Sequence, residues 1–250
     1  MPLHRTDAFV LRTYPLREVD KICVLFTRES GKIRAVAKGA RKLPNRFGAS
    51  LETLSEVTVS YFHKEHQELA SLSTCDIVKA PLRDEITSER LGVLHYVAEL
   101  IIEFLPDHEP NERVYRLLVA ILEVIGPSRT SDIPAVSRYF EIWMLKLAGY
   151  LPDFYVCHGC GLDLSGEPSI WLTSESLPQC RSCSGRRGDE LKQEVMTGLR
   201  DILTRKPADF LGLKREKRTI DQIGSLTTRL IQRSIERDLK SVAIADRLRI

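Results

Sequence analysis

The sequence predicts an α+β protein in two parts. A small closed or partly open β-barrel occupies residues 1–80, and an all-helical domain follows over residues 81–250, interrupted by an inserted four-cysteine module at 153–190. Three observations carry this prediction. The first eighty residues are short strand-like runs with almost no helical pattern between them; the hydrophobic period changes to that of a helix after Pro81; and two Cys-x2-Cys pairs break the helical pattern between residues 150 and 190. A chain of 250 residues that is 43% hydrophobic is long and apolar enough to bury cores in both parts.

The strand runs fall at residues 7–14, 19–27, 31–37, 56–62 and 69–78 and are rich in Val, Ile, Thr, Phe and Tyr. Val57, Val59 and Tyr61 alternate with Thr58 and Ser60, the period of a strand with one buried face, and Glu29-Ser30-Gly31 makes a tight turn between two runs. Closing such a short set into a barrel removes the exposed edges that an open sheet would leave.

Beyond Pro81, Leu91, Leu94, Ala98, Ile101, Ile102 and Leu105 share one helical stripe. Val114, Leu117, Leu118, Ile121, Leu122 and Ile125 form a second, which starts near Asn111 and is stopped by Gly126-Pro127. A third helix has Ser131 or Asp132 at its cap and Pro134 in its first turn, turns Val136, Phe140, Trp143 and Leu147 inward, and ends at Gly149. After the cysteine segment the helical pattern resumes over 191–204 and 223–239. These stripes are packing surfaces and carry no chemistry of their own.

Cys157-His158-Gly159-Cys160 and Cys180-Arg181-Ser182-Cys183 are spaced as a four-thiolate metal site. The two-residue gap lets both sulfurs of a knuckle converge on one ion, and Gly159 and Gly161 permit the tight backbone. A full set of four cysteines points to one structural Zn2+ rather than to a catalytic zinc, which keeps a position open for water. An iron–sulfur cluster draws on the same thiolates, and a redox pair needs only one of the two knuckles. His158 reads as a solvent-facing neighbour, and Cys23 and Cys75 as core residues of their strands.

No acidic residue lies between Glu29 and Glu52, whereas Lys32, Arg34, Lys38, Arg41, Lys42 and Arg46 are all basic. Small barrels hold single strands through cationic faces and loops combined with base stacking. These six residues are therefore the candidate DNA-binding set, with Phe47 either a stacking residue or part of the core. If all six met phosphates, log affinity would fall against log salt with a slope of about −4 on a single strand. Charge along the chain agrees with a polyanion partner: residues 1–80 carry 13 basic and 9 acidic groups, 81–156 carry 7 and 12, and 186–250 carry 16 and 10, so two basic ends flank an acidic middle. Lys214-Arg215-Glu216-Lys217-Arg218 and Arg186-Arg187 add cations near the carboxy-terminal end and read as solvated surface.

The phosphate-loop, dinucleotide-binding, zinc-protease and nucleophile-elbow signatures are all missing, which favours a binding protein over an enzyme. His63-Lys64-Glu65-His66 is the one dense titratable cluster, and the strand period puts its two histidines on opposite faces. No apolar run reaches the roughly 18 residues of a membrane span, and the amino terminus has no signal-peptide core, so the expected location is the cytoplasm.

Four segments, in this order, resemble one known family. They are Asp7-Ala8-Phe9-Val10-Leu11; Lys38-Gly39-Ala40-Arg41 continuing to Arg46-Phe47; Arg138-Tyr139-Phe140-Glu141 through Leu147-Ala148-Gly149-Tyr150-Leu151-Pro152; and the insertion beginning at Cys157. The chain is similar over essentially its whole length to the RecO family of bacterial recombination mediators. That resemblance implies an oligonucleotide/oligosaccharide-binding (OB) barrel, a helical bundle, and a zinc insertion that some members keep. It further implies a protein of DNA damage repair in the RecFOR pathway, associated with the nucleoid, that binds single- and double-stranded DNA and anneals complementary strands. With RecR, it would help load RecA onto DNA coated by single-strand-binding protein (SSB), whose carboxy-terminal tail docks on the helical domain. Carried onto this sequence, the DNA-contacting loop residues are Lys38, Arg41, Lys42 and Arg46; the match departs at Leu43-Pro44-Asn45, where relatives often carry further basic or small polar residues. The competing reading is a zinc-containing DNA-binding transcription regulator, and an enzyme with an unrecognised site is a third.

Overall fold

The computed structural model describes residues 3–64, 67–81 and 87–235. Five strands, β1 (Leu3–Leu16), β2 (Asp20–Thr27), β3 (Gly31–Ala37), β4 (Glu56–Phe62) and β5 (Ala70–Lys79), close in the order β1-β2-β3-β5-β4. All neighbours are antiparallel except β3 and β5, whose parallel contact at Ala35↔Ala70 and Val36↔Ser71 completes the circle. This is the OB barrel. The alternation that made strands legible also fills the barrel: Ala8, Val10, Cys23, Leu25, Ile33, Ala35, Ala37, Val57, Val59, Tyr61, Ala70 and Leu72 point inward. Burial pushes the Cys23 thiol up to about 12 and raises Cys75 as well, which is the core role the sequence suggested for both.

β1 pairs with β4 along its first half and with β2 along most of its length, and a register shift between Val10 and Arg12 lets one long strand do both. Gly31 is constrained twice. It holds φ +65°, and a Cβ there would lie 2.2 Å from the Glu109 carbonyl oxygen, so the predicted turn is also where the chain near Glu109 crosses the barrel. The β3–β4 connection closes the barrel's end with Ala40, Phe47 and Leu51. Phe47, 4% exposed, therefore belongs to the core rather than to a stacking surface.

Helices α1 (Ser88–Phe104) and α2 (Glu112–Ile125) pack on the barrel's outer side. The side chains of Thr87 and Asn111 cap them by accepting the amide hydrogens of Arg90 (3.3 Å) and Val114 (3.1 Å). Tyr115 of α2 sits on Phe9 and Phe26, with ring centroids 4.9 and 5.9 Å away, so these outward-facing barrel residues are fully buried. The single stripe expected for α1 is too narrow. Val93, Val97 and Leu100 are buried while Leu91 is 43% exposed, the pattern of a helix covered on more than one side.

Contact density divides the chain at Ile133/Pro134 into two compact units, and α1 and α2 belong with the barrel. The change of sequence period at Pro81 thus marks the end of the strands, whereas the break in packing lies beyond α2.

The second unit is built on α3 (Ile133–Leu147), which Gly149 terminates at φ +82° as the Tyr150 amide donates back to the Leu145 carbonyl at 2.8 Å. Val136 and Phe140 are buried as expected; Trp143 is half-buried and donates its indole N–H to Ile202 at 2.9 Å. Between α3 and the later helices lies a three-stranded sheet, β7-β6-β8, of β6 (Ser169–Leu172), β7 (Pro178–Gln179) and β8 (Asp189–Lys192), with a single turn, α4 (Arg181–Ser184), after β7. Leu191, placed by the sequence pattern at a helix start, sits in β8; α5 (Gln193–Thr204) begins after it, followed by α6 (Pro207–Gly212) and α7 (Lys217–Ser234). α7 starts ahead of the predicted residue 223, and residues 236–239 of that predicted helix lie outside the described residues.

Glu141, in the segment that carried the family resemblance, is 1% exposed. It pairs with Arg138 at 3.0 Å and accepts the Thr227 hydroxyl, tying α3 to α7. Gly224 makes room for this: a Cβ there would lie 2.4 Å from Arg138 Nη1.

Candidate metal centre and nucleic-acid interface

The cysteine centre is assembled by local backbone bonds. The Cys157 amide donates to Leu162 and the Gly161 amide to Cys157, both at 2.8 Å, which curls the first knuckle. The His158 amide donates to Pro178 at 2.8 Å and so brings β7, and with it the second knuckle, alongside the first. Cys180 caps α4, accepting the Cys183 amide on its sulfur at 3.4 Å, while the Cys180 amide donates to Cys157 Sγ at 3.2 Å. A Cβ at Gly159 would meet Cys183 Sγ at 3.1 Å, so glycine lets the first knuckle approach the second without displacing that sulfur by a few tenths of an ångström.

All four sulfurs lie within 4.8 Å of one another, and Cys160 and Cys180 are 3.8 Å apart. Tetrahedral ligands at about 2.3 Å from a central zinc would be about 3.8 Å apart. The electrostatics agree. The Cys157 thiol is pulled down to about 6; burial opposes this, but amides from Cys180, Cys160 and Gly159 outweigh it. Cys183 is pushed up to about 12 because its proton is shared toward Cys160, Cys180 and Cys157. Four sulfurs this close cannot all be thiolates without a cation among them. Cys157 and Cys180 are buried and Cys160 and Cys183 exposed. His158 is exposed and outside the sulfur set, as the sequence suggested.

The basic connection is anchored at both ends. Asp20 accepts the Gly39 amide at 2.7 Å, the Arg41 amide donates to Val19 at 2.9 Å, and the Arg41 guanidinium donates to the Arg17 carbonyl at 2.9 Å. At the far end Asn45 accepts the Phe47 and Gly48 amides, each at 2.9 Å, and the Arg46 guanidinium lies 4.8 Å over the Phe47 ring. Lys38, Arg41, Lys42 and Arg46 are all exposed. Among the described residues, none of the four has a carboxylate within ion-pairing distance.

Lys32 does not belong to this set. Its ammonium donates to the carbonyls of Ile102 (2.6 Å) and Leu105 (2.7 Å) and pairs with Asp107 at 3.1 Å, and its side chain is 9% exposed. α1 has no basic residue in its last turn, and Lys32 supplies that charge from β3. All three of its protons are used, so its expected phosphate contact is corrected to a helix-capping role. Lys32→Met is expected to lower stability by about 1–3 kcal/mol in chemical denaturation, from the orphaned Ile102 and Leu105 carbonyls and the loss of one of the two cations beside Asp107. It should leave the salt slope of DNA binding unchanged; a slope shallower by about one would return Lys32 to the phosphate-contacting set. Arg34 is intermediate, 3.6 Å from Asp107 but with a side chain 55% exposed.

One cation escaped the sequence reading. Arg17, exposed in the β1–β2 turn, is brought beside the basic connection by the bonds of Arg41 to Arg17 and Val19. Only the strand pairing could have revealed it. Arg186 and Arg187 are exposed beside the second knuckle, and His63 donates from Nε2 to the Gln67 carbonyl (2.7 Å) and stacks on His108; Glu65 and His66 lie outside the described residues. No helix among the described residues is long and apolar enough to cross a membrane.

Comparison with known proteins covers the whole architecture. Residues 1–81 match the family described as Recombination protein O N terminal, and residues 87–243 match Recombination protein O C terminal. The chain is 36% identical over 247 residues to the DNA repair protein RecO of Koribacter versatilis, covering 98% of this chain and 99% of that one. It is 32% identical over 240 residues to DNA repair protein RecO of Geobacter metallireducens, with 96% and 95% covered, and 32% over 253 residues to that of Pelotomaculum thermopropionicum, with 99% and 95% covered.

Proposed function

Since the chain belongs to the RecO family, we propose that it serves DNA repair and homologous recombination as a binding protein and not as a catalyst. It holds single- and double-stranded DNA, anneals complementary strands, and with RecR helps load RecA onto DNA coated by SSB, whose carboxy-terminal tail it engages. The observation that carries the reading is the anchored cationic connection on a closed OB barrel: Lys38, Arg41, Lys42 and Arg46 exposed on a connection whose ends are fixed by amides donating to the Asp20 and Asn45 side chains. Annealing needs two polyanions held together. Cations that neutralise phosphate without reading base edges speed the encounter and leave the choice of partner to base pairing. The protein need make or break no bond. The work is placed in the cytoplasm, at the nucleoid.

In this reading the metal centre holds one structural Zn2+ on Cys157, Cys160, Cys180 and Cys183, a soft, four-sulfur donor set suited to that ion. Bound there, the ion ties the two knuckles together and supplies no open coordination position.

The direct test is the annealing rate of complementary oligonucleotides, bare and SSB-coated, without nucleotide. Acceleration on both, with the coated strands further stimulated by RecR, is the expected result. A folded protein that leaves the rate at the uncatalysed value, or that selects a defined sequence from random duplexes, would move the assignment to a transcription regulator.

A further inference from the structure

Strand alternation gives β1–β3 an outer surface whose composition the basic connection does not explain. Because Ile33, Ala35 and Ala37 fill the barrel, Arg34 and Val36 point outward on β3, and Lys38 continues that register just past the strand. On β2, Cys23 and Leu25 are inward, leaving Ile22 and Val24 outward. Past the register shift in β1, Arg12 pairs with Val24 and Tyr14 with Ile22.

Two rows therefore cross the three strands. In one, Arg12, Val24 and Arg34 are paired side by side, and Val24 is only 5% exposed. In the next, Tyr14 pairs with Ile22 and Ile22 with Val36; here Tyr14 is 43% exposed and its two neighbours are half-buried. Single apolar residues on a surface are ordinary, but three in register across adjacent strands make a strip. Arg12 and Arg34 bound the strip on one side, and Lys38, where the basic connection begins, bounds it on the other. Asp20, in the same outward register of β2, is engaged with the Gly39 amide and so holds the start of that connection in place. Arg12 donates to the Tyr14 hydroxyl at 3.4 Å while pairing with Glu99 at 3.3 Å, which steadies the phenol.

We propose that the Tyr14–Ile22–Val36 strip is a base-stacking platform for single-stranded nucleic acid, with Tyr14 receiving a base while Arg34 and Lys38 face the backbone. The proposal rests on the DNA-binding reading above and adds to it a reason for strand preference. Cations attract any polyanion, but a stacking surface rewards only bases whose faces are free, and a duplex keeps those faces covered. The same protein then has a charge-based mode open to both forms of DNA and a stacking mode reserved for the single strand.

The experiment compares wild type, Tyr14→Ala and Tyr14→Phe for affinity to oligothymidylate, to an abasic strand of the same length, and to a duplex. Loss of one stacked base predicts oligothymidylate binding weaker by about 5- to 150-fold in Tyr14→Ala. Abasic and duplex binding should be unmoved, the salt slope kept, and the loss largely rescued in Tyr14→Phe. Tyr14→Trp supplies a second readout, its fluorescence quenched by oligothymidylate and not by the abasic strand. Unchanged oligothymidylate binding in Tyr14→Ala, or equal losses on all three ligands, overturns the platform. Failure of the wild type to bind any of them would instead remove the broader DNA-binding reading, so the two failures are distinguishable.

Discussion

Cys160→Ser is expected to release the proposed zinc and unfold the segment from Phe154 to Leu191, while leaving the DNA affinity proposed for the barrel intact. The module spans about 40 residues, near the size below which a chain usually needs a metal or disulfide to fold. Its apolar core is correspondingly thin, resting on Phe154, Leu164, Ile170, Leu172 and Leu191. Structural zinc contributes apparent binding energies of about 10–16 kcal/mol in small finger domains near neutral pH, and that binding energy is folding energy. Removing one sulfur from four forfeits a large part of it. Cys157→Ser should be worse than Cys160→Ser, because Cys157 is buried and its sulfur also accepts the Cys180 amide that joins the knuckles. Metal per chain, limited proteolysis and oligonucleotide affinity together give the answer. Wild type should hold about one zinc per chain; the variants should lose it and become cleavable within the segment, with DNA affinity retained because the basic connection lies in the other compact unit. An unchanged protease pattern in metal-free protein would sink the structural role, and simultaneous loss of DNA binding would make the module part of the DNA site or of the global fold.

The barrel was legible because its cue is local. The bounds of β3 and β4 agree with the sequence to the residue; in β4 inward and outward positions alternate along the whole strand, and in β3 the Gly31 turn marks the start. Closure through the parallel β3–β5 contact was not legible, because it depends on the distance between chain segments far apart in sequence. The cysteine quartet was equally plain, as spacing alone tells which sulfurs can converge. The small sheet around it was not, because strands as short as β7 have too few residues to show a period. Lys32 looked like its basic neighbours until α1 was seen to end over it. A lysine's role depends on what meets its ammonium, and the carbonyls of Ile102 and Leu105 are about 70 residues away. Phe47 had two readings of equal standing in sequence, and burial chose between them. Tyr14 had no visible role as one residue in a strand, and acquires one only when pairing sets it beside Ile22 and Val36.

The second large effect is expected from alanine at Lys38, Arg41, Lys42 and Arg46 together. With Lys32 committed to α1, these four are the exposed cations the connection offers, and at about 0.7 per phosphate on a single strand they account for a salt slope of about −3. Over a fourfold rise in salt that slope means a loss of about 50-fold in wild-type affinity; the quadruple variant should lose far less, having little electrostatic attraction left to screen. On the function proposed above, in which the same cations bring the two strands together, annealing should slow in parallel. Not all four are purely charges, however. Arg41 also ties the connection to the β1–β2 turn, and Arg46 lies over Phe47, so their loss can loosen the plug of the barrel as well as remove cationic charge. The pair Lys38→Ala/Lys42→Ala separates these effects, because their side chains hold none of the hydrogen bonds that anchor the connection. If this pair alone makes the slope shallower by about 1.4, half the effect of four, phosphate neutralisation is the mechanism. If the pair is silent and only the quadruple variant fails, with a lowered melting temperature, the connection acts by shaping the barrel, and the DNA-contacting cations must be sought on the outward faces of Arg34 and Arg17.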